Sequence, residues 1–192
     1  SSSSYTQNIS TVTGDGNISI MIDNSAFSDM AGNPMASNQW SGTFTIDNTL
    51  PTQTNLVASS STISEDEAGT NTFYLTFTFD ESMDQTLDPT IDFPTGGEDP
   101  TSDGTLSSPS GSWSSATTYE QFYTVSDNNL EMPTIDVRLA GAKDVAGNTI
   151  TTVTTSNTFS IDMKQPVASS VTPSSNTITI SDIGTETFYI TV

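Results

Sequence analysis

The side chains able to do chemistry in this chain are almost all oxygen donors. Its 192 residues include 23 Asp plus Glu against three Lys plus Arg, with no His and no Cys. Such ligands select hard cations, calcium first. Zinc and copper want nitrogen or sulfur, and magnesium demands a strict octahedron and holds its waters. The acids also recur in a phrase. Asp29 to Pro51 reads DMAGNPMASNQWSGTFTIDNTLP, and 115 residues later Asp144 to Pro166 reads DVAGNTITTVTTSNTFSIDMKQP.

The candidate cation ligands are Asp29, Asp47, Glu67, Asp80, Asp127, Asp144, Asn148 and Asp162. Two carboxylates about 4 Å apart repel by roughly 4 kcal/mol at an effective dielectric of 20, and a divalent ion between them turns the repulsion into attraction. A plainer reading stands beside this one. D-x-A-G-N is also the composition of a tight turn, in which Asp accepts backbone N–H groups and Gly supplies a positive φ. Asp162 equally reads as a solvated strand end, and Glu65, Asp66 and Glu67 as a solubilising loop. The twelve-residue order of an EF-hand is absent.

Catalysis finds little to work with, and the chain is expected not to be an enzyme. Serine is abundant, but no His can take its proton and neither G-x-S-x-G nor S-x-x-K occurs. Trp40 and Trp113 read either as sugar-stacking platforms or as rings packed on a core or edge. Lys143 and Lys164 invite a crosslink to Asn, but their repeat partners are Ser28 and Thr49, so a second copy cannot form it. A formal charge of −20 repels nucleic acid and anionic lipid alike. No apolar run reaches the roughly 18 residues of a membrane helix, so neither nucleic acid binding nor direct membrane insertion is expected.

What positions these residues is a repeat one domain long. The same offset aligns Leu56 with Val171, Ile63 with Ile178, Gly69-Thr70 with Gly184-Thr185 and Phe73-Tyr74 with Phe188-Tyr189. Residues 51–165 therefore read as one complete unit, 1–50 as the closing part of a preceding unit and 166–192 as the first strands of a following one. The two ends lack a counterpart of roughly 78–118. Exchange of ends between molecules is expected to leave a hole in the sandwich, and a truncated or polymeric array is the favoured reading.

The architecture reads as all-β, in tandem Greek-key sandwiches of immunoglobulin type with about seven strands per repeat. Phe73, Leu75, Phe77 and Phe79 alternate with Tyr74, Thr76 and Thr78, while Ile135, Val137 and Leu139 alternate with Asp136 and Arg138. Strands are expected near 54–60, 71–80, 89–93, 103–107, 117–125, 134–140 and 155–162. In such a sandwich Asp47, Glu81 to Asp84, Asp144 and Asn148 gather at the pole where the chain comes in. Glu65 to Glu67, Asp127 and Asp162 gather where it goes out. The Gly-, Pro- and Ser-rich stretch 94–118 is the one place a ligand-binding loop could hide.

Seven pieces in order also resemble a known family: ISEDEAGT at 63–70, FTFDESMD at 77–84, PTIDF at 89–93, GSWSSATTY at 111–119, VSDNN at 125–129, GAKDVAGN at 141–148 and FSID…P at 159–166. They are similar to the bacterial Ig-like repeats of very large secreted adhesins, including RTX-type surface proteins. The resemblance implies a stalk of tandem domains at a bacterial cell surface, with calcium stiffening the junctions and neighbouring repeats of the same chain as partners. The alternatives are a subunit of a self-assembling extracellular filament made of other copies, or a carbohydrate-binding Ig-like module.

Overall fold

The computed structural model describes residues 4–6, 8–9, 11–94, 98–184 and 188–192. Thr185 of the repeat and positions 95–97 of the presumed binding stretch lie outside them. In chain order the strands are β1 (Gly16–Ile22), β2 (Gln39–Ile46), β3 (Gln53–Ala58), β4 (Thr62–Ile63), β5 (Gly69–Phe79), β6 (Thr90–Asp92), β7 (Leu106–Ser115), β8 (Thr118–Val125), β9 (Glu131–Ala140), β10 (Val153–Asp162), β11 (Thr172–Pro173) and β12 (Ile190–Thr191).

Two four-stranded sheets, β3-β5-β8-β7 and β4-β10-β9-β6, form an immunoglobulin-like sandwich. All pairings are antiparallel except that of β4 with β10. Alternation decides which face goes in. Phe73, Leu75, Phe77 and Phe79 of β5 are buried, as are Tyr119, Tyr123 and Val125 of β8, and they meet Ile135, Val137 and Leu139 of β9 and Phe159 and Ile161 of β10. Phe73 packs on Phe159 with ring centroids 4.7 Å apart, and Phe93 closes over both Tyr123 and Phe159.

Eight strands stand where about seven were expected, because the first divides. β3 belongs to one sheet, and after a corner in which Ser60 Oγ donates to the Thr62 carbonyl (2.6 Å), β4 joins the other. The larger departure is β7. A short strand was expected near 103–107, within a stretch rich in Ser, Pro and Gly, and the strand found is displaced and longer, ten residues from Leu106 to Ser115 paired to β8. Its position explains its composition. β7 is an edge strand, so Pro109 needs no donor on its outer side, and Ser108 at φ 48° sits in a register shift between Ser107 and Ser110.

Gly111 of β7 is required sterically. A Cβ there would lie 1.7 Å from the Tyr119 hydroxyl oxygen, and Tyr119 is buried and stacked edge-on against Trp113 at 5.1 Å. Trp113 also packs on Phe79 at 5.6 Å and donates its indole N–H to the Leu87 carbonyl (3.1 Å). Its ring is therefore a structural lid on the core edge.

Outside the sandwich the chain forms two small sheets, β1 with β2 and β11 with β12. Every buried hydrophobic side chain among the described residues lies between Ile63 and Met163. Ile20 and Phe44 in the N-terminal hairpin, and Ile178 and Ile190 in the tail, remain exposed. No helix among the described residues is long and apolar enough to cross a membrane.

Replacing Gly111 by Ala should destabilise the sandwich by about 1–3 kcal/mol, the usual range for overpacking a filled core. Urea unfolding followed by Trp113 emission measures it. A midpoint equal to that of the unsubstituted chain would show that Tyr119 has room to move.

Candidate metal centre where the linker meets the sandwich

The linker between β2 and β3 is held by the side chains of two aspartates. Asp15 accepts from the Asn48 N–H (2.6 Å) and from the Thr49 hydroxyl, and Asp80, just past β5, accepts from both the N–H and the hydroxyl of Thr52 (2.7 Å each). Asn148 adds a bond from its side-chain N–H to the Asp47 carbonyl at 3.2 Å. The linker thus approaches the pole formed by the loop after β5 and the turn between β9 and β10.

That turn is the D-x-A-G-N phrase, and the phrase folds as a turn in both of its copies. Asp144 Oδ1 accepts from the backbone N–H groups of Gly147 (2.7 Å) and Asn148 (2.8 Å), and Oδ2 accepts from the Asn148 side chain (2.7 Å). Asp29 receives the same kind of bonds from Ala31 and Asn33, all at 2.9 Å. Gly147 at φ 98° and Gly32 at φ 86° supply the left-handed residue that the bend needs. The two copies differ in setting. Asp144 is buried, whereas Asp29 is exposed.

At this pole Asp47 from the linker, Glu81 from the loop after β5 and Asp144 from the turn bring carboxylate oxygens within 4.8 Å of one another. Three acidic groups so placed can hold a metal ion. No other such trio occurs among the described residues. A pair of full charges at that separation repels by roughly 3 kcal/mol at an effective dielectric of 20. Glu81 registers this strain. Burial first, then the charges of Asp144 and Asp47, push its carboxyl above the usual glutamate range.

The remaining candidates are not members of the trio. Asn148 touches the trio but presents its N–H groups to Asp144 and to the Asp47 carbonyl, so it orients two members of it. Asp80 grips Thr52. Glu67 closes a capping box on a short 3-10 turn, accepting from the Ser64 N–H (2.8 Å) and hydroxyl (2.7 Å). Asp127 accepts from the Asn129 N–H at 2.9 Å, which makes it a turn former. Asp162 ends β10 opposite Glu131, beside Glu65 and Asp66.

Sequence reasoning left Glu81 out of the ligand set. It named Glu81 only as part of a loop, and no second copy of that loop is present to mark it. Glu67 carried a signal that went unread, because Ser64-x-x-Glu67 is the sequence of a capping box.

The hydrogen-bonded acids set the response to pH. The Thr52 backbone N–H and hydroxyl hold Asp80 below the usual range, the Ser64 hydroxyl does so for Glu67 and the Thr86 hydroxyl for Asp84. Groups with depressed values stabilise the fold above their unfolded pKa, and that contribution is lost as pH falls through the folded value. Glu81 has the opposite sign, since its raised value means repulsion is relieved as pH falls. The melting temperature should therefore hold from pH 7 to about 5 and drop below about 4. In calorimetry, Glu81→Gln should stabilise the neutral form while leaving the acid collapse in place; a collapse that vanished with Glu81 would contradict this division.

Comparisons with protein-family models, with curated proteins and with solved structures find no match to this chain.

Proposed function

We propose that this chain is a segment of an extended stalk outside a bacterial cell, built from tandem immunoglobulin-like units whose junctions are fixed by calcium. In this reading 51–165 is one unit and the flanking stretches belong to its neighbours. The observation that carries it is the meeting of Asp47, Glu81 and Asp144 where the incoming linker reaches the sandwich. One ligand comes from the linker and two from separate loops of the sandwich, so an ion bound there would tie linker to domain. The 115-residue offset puts the equivalent partners of Asp162 beyond Val192, where Asp162 would serve the next junction as Asp47 serves this one.

The donor set suits calcium. Three carboxylates offer up to six oxygens, and calcium takes six to eight at flexible angles, completing its shell from carbonyls and water. Asp144 is already locked by its turn, which lowers the ordering cost of binding. The bound ion would neutralise the repulsion that lifts Glu81. Hydrogen bonds to Asp15 and Asp80 and one from Asn148 locate the linker, and the ion would lock its angle. The biochemical role is then mechanical reach: a unit with strands of about ten residues adds roughly 40 Å including its loops.

Calcium at 100 times its Kd should stabilise the sandwich by about 2.7 kcal/mol, a rise in Tm of roughly 10 °C at this size. A chelator should reverse it, and small-angle scattering should show the chain shorten on chelation. Glu81→Gln and Asp47→Asn should each remove most of the shift, whereas Asp127→Asn should leave it intact. A melt indifferent to calcium and chelator would reject the role given to the ion.

A further inference from the structure

The two layers of the sandwich do not close equally at their two edges. At one edge β3 runs on into β4 and joins the sheets; at the other the three-residue β6 faces the ten-residue β7. The short strand leaves the layer beneath β7 incomplete. Ser108 at φ 48°, in the register shift between Ser107 and Ser110, bends β7 at the same level. A cavity of about 440 Å³ lies in the gap, walled by Ile91, Asp92 and Phe93 on one side and by Leu106, Ser107 and Pro109 on the other. That volume falls within the range of small-ligand sites.

Tyr123 of β8 also lines this cavity. Its ring is fixed against Phe73 at 6.4 Å and Phe93 at 5.9 Å, and the residue is only 2% exposed. A tyrosine so deeply placed normally spends its hydroxyl on a partner. Tyr119, on the same face of β8, donates its own to Gln121 at 3.4 Å. The Tyr123 hydroxyl bonds to nothing among the described residues. Every side-chain polar atom fully shut from solvent among those residues has a partner, so this hydroxyl must open on the cavity. Burial first, then the neighbouring Tyr119, Asp92 and Asp99, push its ionisation upward, which keeps it a donor at neutral pH.

The other polar groups of the cavity are spread around it. Asp99 accepts from the Thr101 N–H (2.9 Å) and hydroxyl (2.5 Å) through Oδ1, and its Oδ2 is left over. Ser107 brings a second hydroxyl with no side-chain bond. Asp92 is neutralised by its two bonds from Arg138. Two carboxylates turn away an anion, and a lone ammonium would satisfy Asp99 while leaving Tyr123 and Ser107 unused. Scattered hydroxyls and acceptors between apolar walls suit a ligand that alternates hydroxyl groups with C–H faces.

We propose that the cavity between β6 and β7 binds one sugar unit, a pyranose whose hydroxyl groups pair with Tyr123, Asp99 and Ser107 while its C–H face lies against Phe93 and Leu106. The site shares no residue with the Asp47, Glu81 and Asp144 trio and does not depend on the stalk reading.

The test titrates the full chain, with chelator present, with the methyl glycosides of glucose, galactose, mannose and N-acetylglucosamine, followed by two-dimensional amide NMR. At least one of them should shift the Thr101 and Ser107 amide signals saturably and leave those of Asp144 and Gly147 in place. Tyr123→Phe keeps the ring and should weaken that sugar about tenfold, the loss of one hydrogen bond. Its Tm should equal that of the unsubstituted chain, because the hydroxyl has no partner in the fold to lose. Asp99→Asn, still able to accept from Thr101, should weaken the sugar to a similar degree. Putrescine, which carries donors but no ring, should not compete. Saturable shifts from none of the four glycosides, undiminished binding by Tyr123→Phe, a lowered Tm in that variant, or displacement of the sugar by putrescine would each overturn the proposal.

Discussion

A sheet face of Phe, Ile and Leu has to be covered by a second sheet, and that two-layer requirement orders the whole chain. Between β3 and β10 it is met from both sides, and the buried hydrophobic residues among those described run from Ile63 to Met163. No disulfide contributes, so side-chain packing alone sets the spacing of the layers. The contact of Tyr119 with Gly111 shows how tightly: there is no room for a methyl group at the β7 edge. Where only one layer is present, in β1–β2 and β11–β12, the same residue types stand in solvent.

Charge is managed by a different rule. Most acids of the loops are occupied by nearby backbone N–H groups, as with Asp80, Asp84, Asp127 and Asp144. The bonds from Thr52 to Asp80 and from Thr86 to Asp84 hold those two carboxyls below the usual range, so acidic loops are compatible with a stable fold. Glu81 is the exception, raised where Asp80 and Asp84 in the same loop are lowered, and it sits where the linker arrives. The one ion pair among the described residues, Arg138 with Asp92, bridges β9 and β6 in two bonds of 2.7 Å and pins the short edge strand. With both side chains 43% exposed it orients more than it stabilises.

Much of the sandwich was legible because alternation is a local signal that burial then enforces. Phe73 to Phe79 and Ile135 to Leu139 point inward as their period of two requires. The same pattern in Ile18, Ile20 and Ile22 marks a strand correctly but not its burial, since burial depends on what lies across from it. β7 was expected near 103–107 but runs from Leu106 to Ser115, because edge pairing uses backbone groups that Ser, Pro and Gly supply without any hydrophobic pattern to mark its length. At the linker, the duplicated phrase pointed to Asp47 and Asp144, and their convergence with Glu81 required the fold. At the other pole Glu67 and Asp127 accept hydrogen bonds within their own turns, an arrangement their local sequence already contains.

The parallel patch of β4 on β10 determines how the molecule bears load. Ser160 N–H bonds the Ser61 carbonyl at 3.0 Å, and the Ser160 and Thr62 hydroxyls lie side by side. Tension on the incoming linker draws β3 and β4 one way, while tension on the outgoing linker draws β10 the other. The patch is then loaded in shear, with its bonds strained together, rather than peeled open one at a time. A very short strand of two residues thereby becomes the latch against extension of the whole unit.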